Sequence, residues 1–357
     1  MKPTSKKILV MRYRFIGDTV LTVPFLRNLR RAEPDAYIAW MVAPGSSDVV
    51  KGIPYVDDMI YWDPATIHAD SRGTHRTFSA KMAFIKELRF HHFDKVYVLK
   101  RSLSSAIIAW LSGARERIGF DTEGRGFLLT RRVPYRHDRH EVENFLEVLR
   151  ADGVKVKDDF LEIWTTVQEE ERTNRVLADA GVNVSEQRAM IHPFSAVPQR
   201  GWPLENFAEL AIRLSKEAGC RPIVVGGAGD IETFKKVKPL FGESTVDLVG
   251  KCTLRETIAL LKRCVLFVGN DSGIMHLAAA AGTPLVALFG PQSPVKFGPW
   301  SRHAKVIYKG MECSPCRQKF FSECEPSARM RPACMEAISV EEVFQESVAI
   351  AGLSARA

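Results

Sequence analysis

The chain has 357 residues, 46% of them apolar and 26% charged, with a formal net charge of +8. That length exceeds what one hydrophobic core usually supports and the composition is ordinary for globular proteins, which points to two folded domains and excludes a disordered polyelectrolyte. Apolar runs such as "SSAIIAWLSGA" and "LAAAAGTPLVALFG" are too short or too interrupted by Gly and Pro to cross a bilayer, and seven cysteines, an odd number in a chain of this size, argue against a disulfide framework.

The N-terminal "MKPTSKK" is basic, but "ILVMRYRF" reads as a strand broken by Arg12 and Arg14 with no cleavage site after it, so a cytoplasmic protein is expected. After this strand come Gly17 and Asp18, where a carboxylate would project from the end of a strand as a general base or would cap a helix. The segment "FIGDTVLTVPFLRNLRRAEPDA" places Val20, Val23, Leu26 and Leu29 at helical spacing, and Pro34 closes the helix. Further on, "AYIAWMV" and "KVYVLK" read as buried strands. Residues 1–165 hold 27 Lys and Arg against 21 Asp and Glu, whereas the remainder holds 23 against 21. The cluster Arg115, Arg117, Arg125, Arg131 and Arg132 is either solubilising surface or a functional basic face; without interleaved aromatics, it makes nucleic acid the weaker candidate partner. "HEVEN" at 140–144 departs from the zinc-protease pattern because Asn144 stands where the second His is needed.

Residues 151–172 read as an interdomain connection, with the boundary near residue 165. The strands "RAMIHPF", "RPIVVGG", "VLFVGN" and "PLVALFG" then alternate with helical patterns, so both halves are expected to be doubly wound α/β domains, with ligands beyond the carboxyl ends of the strands and between the domains. "GWPLENFAELAIRLSKEAG" has Pro203 for a first helical turn and Gly219 for the C-terminal end, and Thr253 with Glu256 forms a capping box.

The second half carries most of the chemistry. In "VGNDSGIMHLAAAAG" a strand turns at Asn270 and Asp271 into a helix opened by Ser272 and Gly273 and ended by Gly282. The unpaired amides and positive dipole end of such a helix suit a phosphate, which Ser272 and His276 could also reach; Asp271 could instead cap, and His276 could pack internally. The loop "HPFSAVPQRGWP" adds Ser195 and Arg200, the latter able to neutralise a diphosphate without a metal. "GGAGD" offers Asp230, a ribose ligand or a helix cap, and Glu232 breaks the dinucleotide fingerprint, so no nicotinamide cofactor is expected. Cys313, Cys316, Cys324 and Cys334 follow C-x2-C-x7-C-x9-C, a candidate set of structural metal ligands that matches no standard finger.

On "IGDTVLTVPFLRNLR", "RGWPLENFAELA", "GNDSGIMHLAAAAGTPLVALFGP" and the "CSPC" tail, the sequence resembles the family 9 glycosyltransferases, the lipopolysaccharide heptosyltransferases, over nearly its whole length. The resemblance implies a GT-B fold of two Rossmann-like domains facing a central cleft: an acceptor domain at 1–165, a nucleotide-sugar domain at 166–338, and a helix within 339–357 returning to the first. It implies inverting transfer from ADP-heptose, needing no cofactor, to lipid A-linked inner-core lipopolysaccharide at the inner face of the inner membrane, with peripheral contact to an anionic membrane surface. By position Asp18 would be the base, and Gly17, Arg12, Arg14 and Arg125 would meet the acceptor. Ser195, Arg200, Asp271, Ser272, Gly273 and His276 would hold the diphosphate end of the donor, Cys252 would lie beside adenine, and Asp230, with Glu232 as rival, would hold ribose. A nucleotide-sugar epimerase and a non-catalytic nucleotide-sugar-binding protein of envelope assembly are the alternatives.

Overall fold

The computed structural model describes residues 5–64, 73–183, 185–316, 324 and 331–354. The chain forms two compact units that divide between Phe160 and Leu161, five residues before the expected boundary and inside the predicted connection.

The first unit contains strands β1 (Lys7–Met11), β2 (Tyr37–Val42), β3 (Asp58–Tyr61), β4 (Lys95–Val98), β5 (Glu116–Phe120) and β6 (Arg131–Val133). They form a parallel sheet in the order β3-β2-β1-β4-β5-β6. Its helices are α1 (Ile16–Leu21), α2 (Val23–Ala32), α3 (Pro44–Ser47), α4 (Phe78–Phe90), α5 (Leu103–Leu111) and α6 (Glu141–Ala151). The single helix expected after β1 is two, joined at Thr22, because Pro24 in the first turn of α2 has no N–H with which to continue the ladder of α1. Central strands such as β2 and β4 are buried along almost their whole length, so they read as unbroken apolar runs rather than alternating ones.

The second unit contains β7 (Arg188–His192), β8 (Arg221–Gly226), β9 (Val246–Val249), β10 (Leu266–Asn270), β11 (Leu285–Phe289) and β12 (Ala304–Tyr308), again all parallel, in the order β12-β11-β10-β7-β8-β9. Its helices are α7 (Val167–Asp179), α8 (Leu204–Lys216), α9 (Ile231–Val237), α10 (Leu254–Leu261), α11 (Gly273–Ala281), α12 (Pro294–Phe297), α13 (Ala333–Glu336) and α14 (Val340–Ala351). The capping box at Thr253 and Glu256 is formed, with Thr253 Oγ1 accepting from the Glu256 N–H at 3.2 Å and Glu256 accepting from the Thr253 N–H at 2.7 Å. Gly282 ends α11 in the left-handed region at φ 75°, which only glycine adopts without strain.

The last helix was expected to return to the first domain. Its buried residues, Val343 and Phe344, instead lie in the core of the second unit with Phe207 and Leu210 of α8, and Arg213 of α8 pairs with Glu341. Phe344→Ala should therefore lower the stability of the second unit by about 3–5 kcal/mol, read as a fall in the denaturant midpoint; an unchanged midpoint would mean that α14 is not part of that core.

Candidate functional site

Each sheet reverses its winding once. In the second unit this happens between β7 and β10, the central pair, and ligands of open α/β sheets bind beyond the carboxyl ends of the strands at such a point. The loop after β7 carries Ser195 and Arg200, and the turn after β10 carries Asp271 and Ser272. Buried Asn270 joins the two: its Oδ1 accepts the Trp202 N–H at 3.0 Å, and its Nδ2 donates to the Pro193 carbonyl at 2.9 Å. Arg200 then pairs with Asp271 at 3.1 Å, an ion pair whose angles fall outside those of a hydrogen bond. Burial pushes the Asp271 carboxyl up to about 6, and Arg200 opposes that rise. Ser272 caps α11, its hydroxyl accepting the Met275 N–H at 3.4 Å, and His276 is buried one turn inside the helix. Gly273 is the first helical residue, so the amides that lack helical partners lie beside the Arg200–Asp271 pair.

The neighbouring strand ends extend this edge. Asp230, after β8, folds back to accept the Gly227 N–H at 2.8 Å, which is its capping role, while its rival Glu232 is exposed and pairs with Lys235. Cys252, after β9, is partly buried, and burial raises its thiol to about 11, which keeps it protonated at neutral pH. Ser195 makes a tight turn with Val197, donating to that carbonyl at 2.9 Å.

The first unit repeats the logic. Its winding reverses between β1 and β4, and the loops after those strands carry Arg12 to Asp18 and Lys100 to Ser102. Asp18 stands in the first turn of α1, with Oδ1 paired to Arg12 at 2.5 Å and Oδ2 accepting the Phe15 N–H at 3.4 Å. Arg12, expected at the acceptor, is buried against Asp18 and the Phe145 ring. Arg125 is a clearer correction. It is fully buried, its guanidinium donating to the carbonyls of Phe120, Lys100 and Ser102 at 2.9, 2.5 and 2.9 Å, and so it braces the β4 loop from inside and cannot meet an acceptor. Arg14 is half-buried and donates to the Pro64 carbonyl, and Gly17 is buried within α1.

The "CSPC" loop is clamped to the end of β11, with Ser314 Oγ donating to the Gly290 carbonyl at 2.7 Å and the Cys316 N–H to the Pro291 carbonyl at 2.9 Å. A Cβ at Gly290 would sit 2.8 Å from Cys334 Sγ, so glycine is needed for that approach. Among the described residues, however, no three His, Cys, Asp or Glu side chains converge to hold a metal ion, and Cys313 and Cys316 are exposed while Cys334 is buried.

Two parallel α/β units, each with polar groups at its switch point, match the pair of Rossmann-like domains expected from the sequence, and the model of glycosyltransferase family 9 (heptosyltransferase) matches residues 81–324. The chain belongs to this family. It is a glycosyltransferase, and its fold is GT-B, as expected. The family 9 chain is 29% identical over 313 residues to lipopolysaccharide heptosyltransferase 2 of Escherichia coli K12, covering 84% of this chain and 87% of that relative. It superposes on a family 9 glycosyltransferase of Veillonella parvula with a TM-score of 0.86 at 26% identity, covering 98% of each chain. On the E. coli ADP-heptose lipopolysaccharide heptosyltransferase II the TM-score is 0.77 at 23% identity, covering 97% of this chain and 98% of that one.

Two residues of this glycosyltransferase escaped the sequence reading. Lys100 lies just past β4, and burial, followed by the Arg12 charge, pulls its ammonium down to about 8 although Asp18 opposes the fall. His192 ends β7; burial pulls it down to about 4, so the imidazole is neutral, and its Nδ1 is buried without a hydrogen-bond partner among the described residues. Both occupy the strand-end positions that singled out Asp18 and Asp271, which is the signal that could have found them.

Asp271 supplies a pH test. A carboxyl whose folded pKa exceeds its unfolded value of about 3.9 lowers stability above the folded pKa and has no such effect below the unfolded one. With the folded value at about 6, Asp271→Asn should stabilise the protein by up to about 2–3 kcal/mol at pH 8 and by nearly nothing at pH 4. Denaturant unfolding at the two pH values checks this, and an equal effect at both would mean that the buried charge is not the cause.

Proposed function

We propose that the protein transfers a heptose from ADP-heptose, with inversion, to the inner core of lipid A-linked lipopolysaccharide, working as a peripheral enzyme at the cytoplasmic face of the inner membrane. The observation that carries the reading is the start of α11 beside Arg200 and Asp271 at the second unit's switch point, a site built for a diphosphate, within a chain of the heptosyltransferase family. Family placement disfavours both the epimerase and the non-catalytic alternative. No helix among the described residues is long and apolar enough to cross a membrane.

In this reading the diphosphate lies against the free amides at the start of α11 and takes the Arg200 guanidinium that Asp271 holds in the free protein. Asp230 and Cys252, on adjacent strand ends, bound the ribose and adenine. Asp18, oriented by Arg12, accepts the proton of the acceptor hydroxyl as its oxygen attacks the anomeric carbon, and the bond to the departing ADP breaks on the opposite side. The negative charge gathering on the diphosphate is answered by Arg200 and the helix dipole. Lys100, close to Asp18, supplies a positive charge for an acidic acceptor.

Asp18→Asn keeps the shape and the capping of α1 but removes the proton acceptor, so turnover should fall by about 10²–10⁴ while donor binding is retained, with some loss of stability because buried Arg12 loses its charge partner. Near-normal turnover at saturating donor and acceptor would leave Asp18 with capping alone. Arg200→Ala should weaken ADP binding about tenfold or more, measured by calorimetry; unchanged affinity would remove Arg200 from the donor site. Because Lys100 loses its charge as pH rises through about 8, kcat/KM for an acidic acceptor should decline above that pH. Lys100→Arg, which stays charged, should lose the decline, and a decline that persists in it would assign the titration to another group.

A further inference from the structure

Helices α4 and α5 cover one face of the first unit's sheet, Phe84 and Leu88 of α4 and Ile108 and Ala109 of α5 joining the core cluster with β1 and β4. Their outward sides carry large apolar side chains among the polar ones. On α5, Leu103, Ile107 and Trp110 are exposed at spacings of four and three residues, a stripe along one side of the helix opposite its buried residues. The turn Arg125–Leu128 packs against α5 and adds Phe127, 73% exposed; α4 adds Phe78, 80% exposed, and Met82. An apolar face of this extent on one side of a unit marks an interaction surface rather than scattered surface residues.

Charge selects the occupant. Exposed Lys81, Lys86 and Arg89 stand on α4 against one acid, Glu87, whereas beside α5 Arg115 is matched by exposed Glu116 and Glu123, the latter accepting the Leu103 N–H, so the positive excess of this face lies on α4, in a unit that carries 27 Lys and Arg against 20 Asp and Glu over residues 1–160. Aromatic and aliphatic side chains set among long basic ones suit the headgroup region of an anionic bilayer, where the rings enter the acyl boundary and the ammonium groups meet phosphates. The stripe also begins at Leu103, three residues after Lys100, so it starts at the sheet edge that holds Asp18. We infer that the α4–α5 face, through Leu103, Ile107, Trp110 and Phe127 with Lys81 and Lys86, docks the protein on an anionic phospholipid membrane and presents the edge bearing Lys100 and Asp18 to the headgroup layer. The inference rests on the reading of the acceptor as lipid-linked and assigns the surface that brings the enzyme to it.

Sedimentation of the full chain with vesicles tests it, using phosphatidylcholine alone and phosphatidylcholine with phosphatidylglycerol. The wild type should bind the anionic vesicles, less so in high salt. The double variant Ile107→Glu, Trp110→Glu should partition at least tenfold less, and Lys81→Glu and Lys86→Glu should each lower binding about fivefold. All should keep wild-type melting and wild-type transfer to a delipidated, water-soluble core oligosaccharide. Undiminished binding by the double variant would overturn the proposal, as would a wild type that ignores both vesicles. A double variant that turns an oligomer into a monomer while vesicle binding persists would assign the face to a second copy of the chain. Should the wild type transfer to no lipopolysaccharide acceptor while vesicle binding responds as expected, the functional reading fails and the docking face stands.

Discussion

Buried Asn270 is the interaction on which the second unit's site depends. It ends β10, and its amide satisfies the Trp202 N–H and the Pro193 carbonyl, two backbone groups of a neighbouring loop that would otherwise be buried without partners. Through it the loop bearing Ser195 and Arg200 is held in register with the turn bearing Asp271 and Ser272. Trp202 continues the chain of support, since its indole N–H donates to the Ile338 carbonyl just before α14. A helix far along the sequence thus supports the loop that positions Arg200, because the backbone groups of an irregular loop need buried partners and only distant segments supply them.

The first unit solves the same problem with arginines. Arg125 gathers the carbonyls of Lys100 and Ser102 and fixes the β4 loop, and Arg12 fixes the Asp18 carboxylate. A fully buried guanidinium is tolerated when most of its donors find acceptors, and for Arg125 these are the Phe120, Lys100 and Ser102 carbonyls around the ends of β4 and β5. Lys100 remains at the point where this network stops. Its ammonium, pulled down to about 8 by burial and the Arg12 charge, gains from an anion placed beside it.

Arg200 and Asp271 form the corresponding arrangement in the second unit. The carboxyl, raised to about 6 by burial, neutralises an arginine that a diphosphate would otherwise find fully available. In a partly buried pair of this kind desolvation offsets much of the Coulombic gain, so it fixes the Arg200 side chain more than it stabilises the fold.

The sequence by itself determined the two doubly wound units, the strand-turn-helix at 266–281, the capping box of α10 and the glycine end of α11, because each rests on local rules: unbroken apolar runs, helical spacing, and glycine or hydroxyl residues at helix ends; that Ser272 rather than Asp271 caps α11 was decided by the fold. The strand-end positions of Asp18, Arg200 and Asp271 were legible by the same local rules, since each stands just past a strand or in a loop between strand and helix. The division of the arginines was not. Arg12, Arg14 and Arg125 have the same side chain, yet one holds Asp18, one binds the Pro64 carbonyl and one is a buried brace, a difference set by which distant carbonyls each can reach. The packing of α14 on the second unit likewise depended on Phe207 and Leu210, more than a hundred residues earlier. Only tertiary structure decides such matters, since hydrogen-bond partners and apolar neighbours are chosen by proximity in space, which local spacing does not encode.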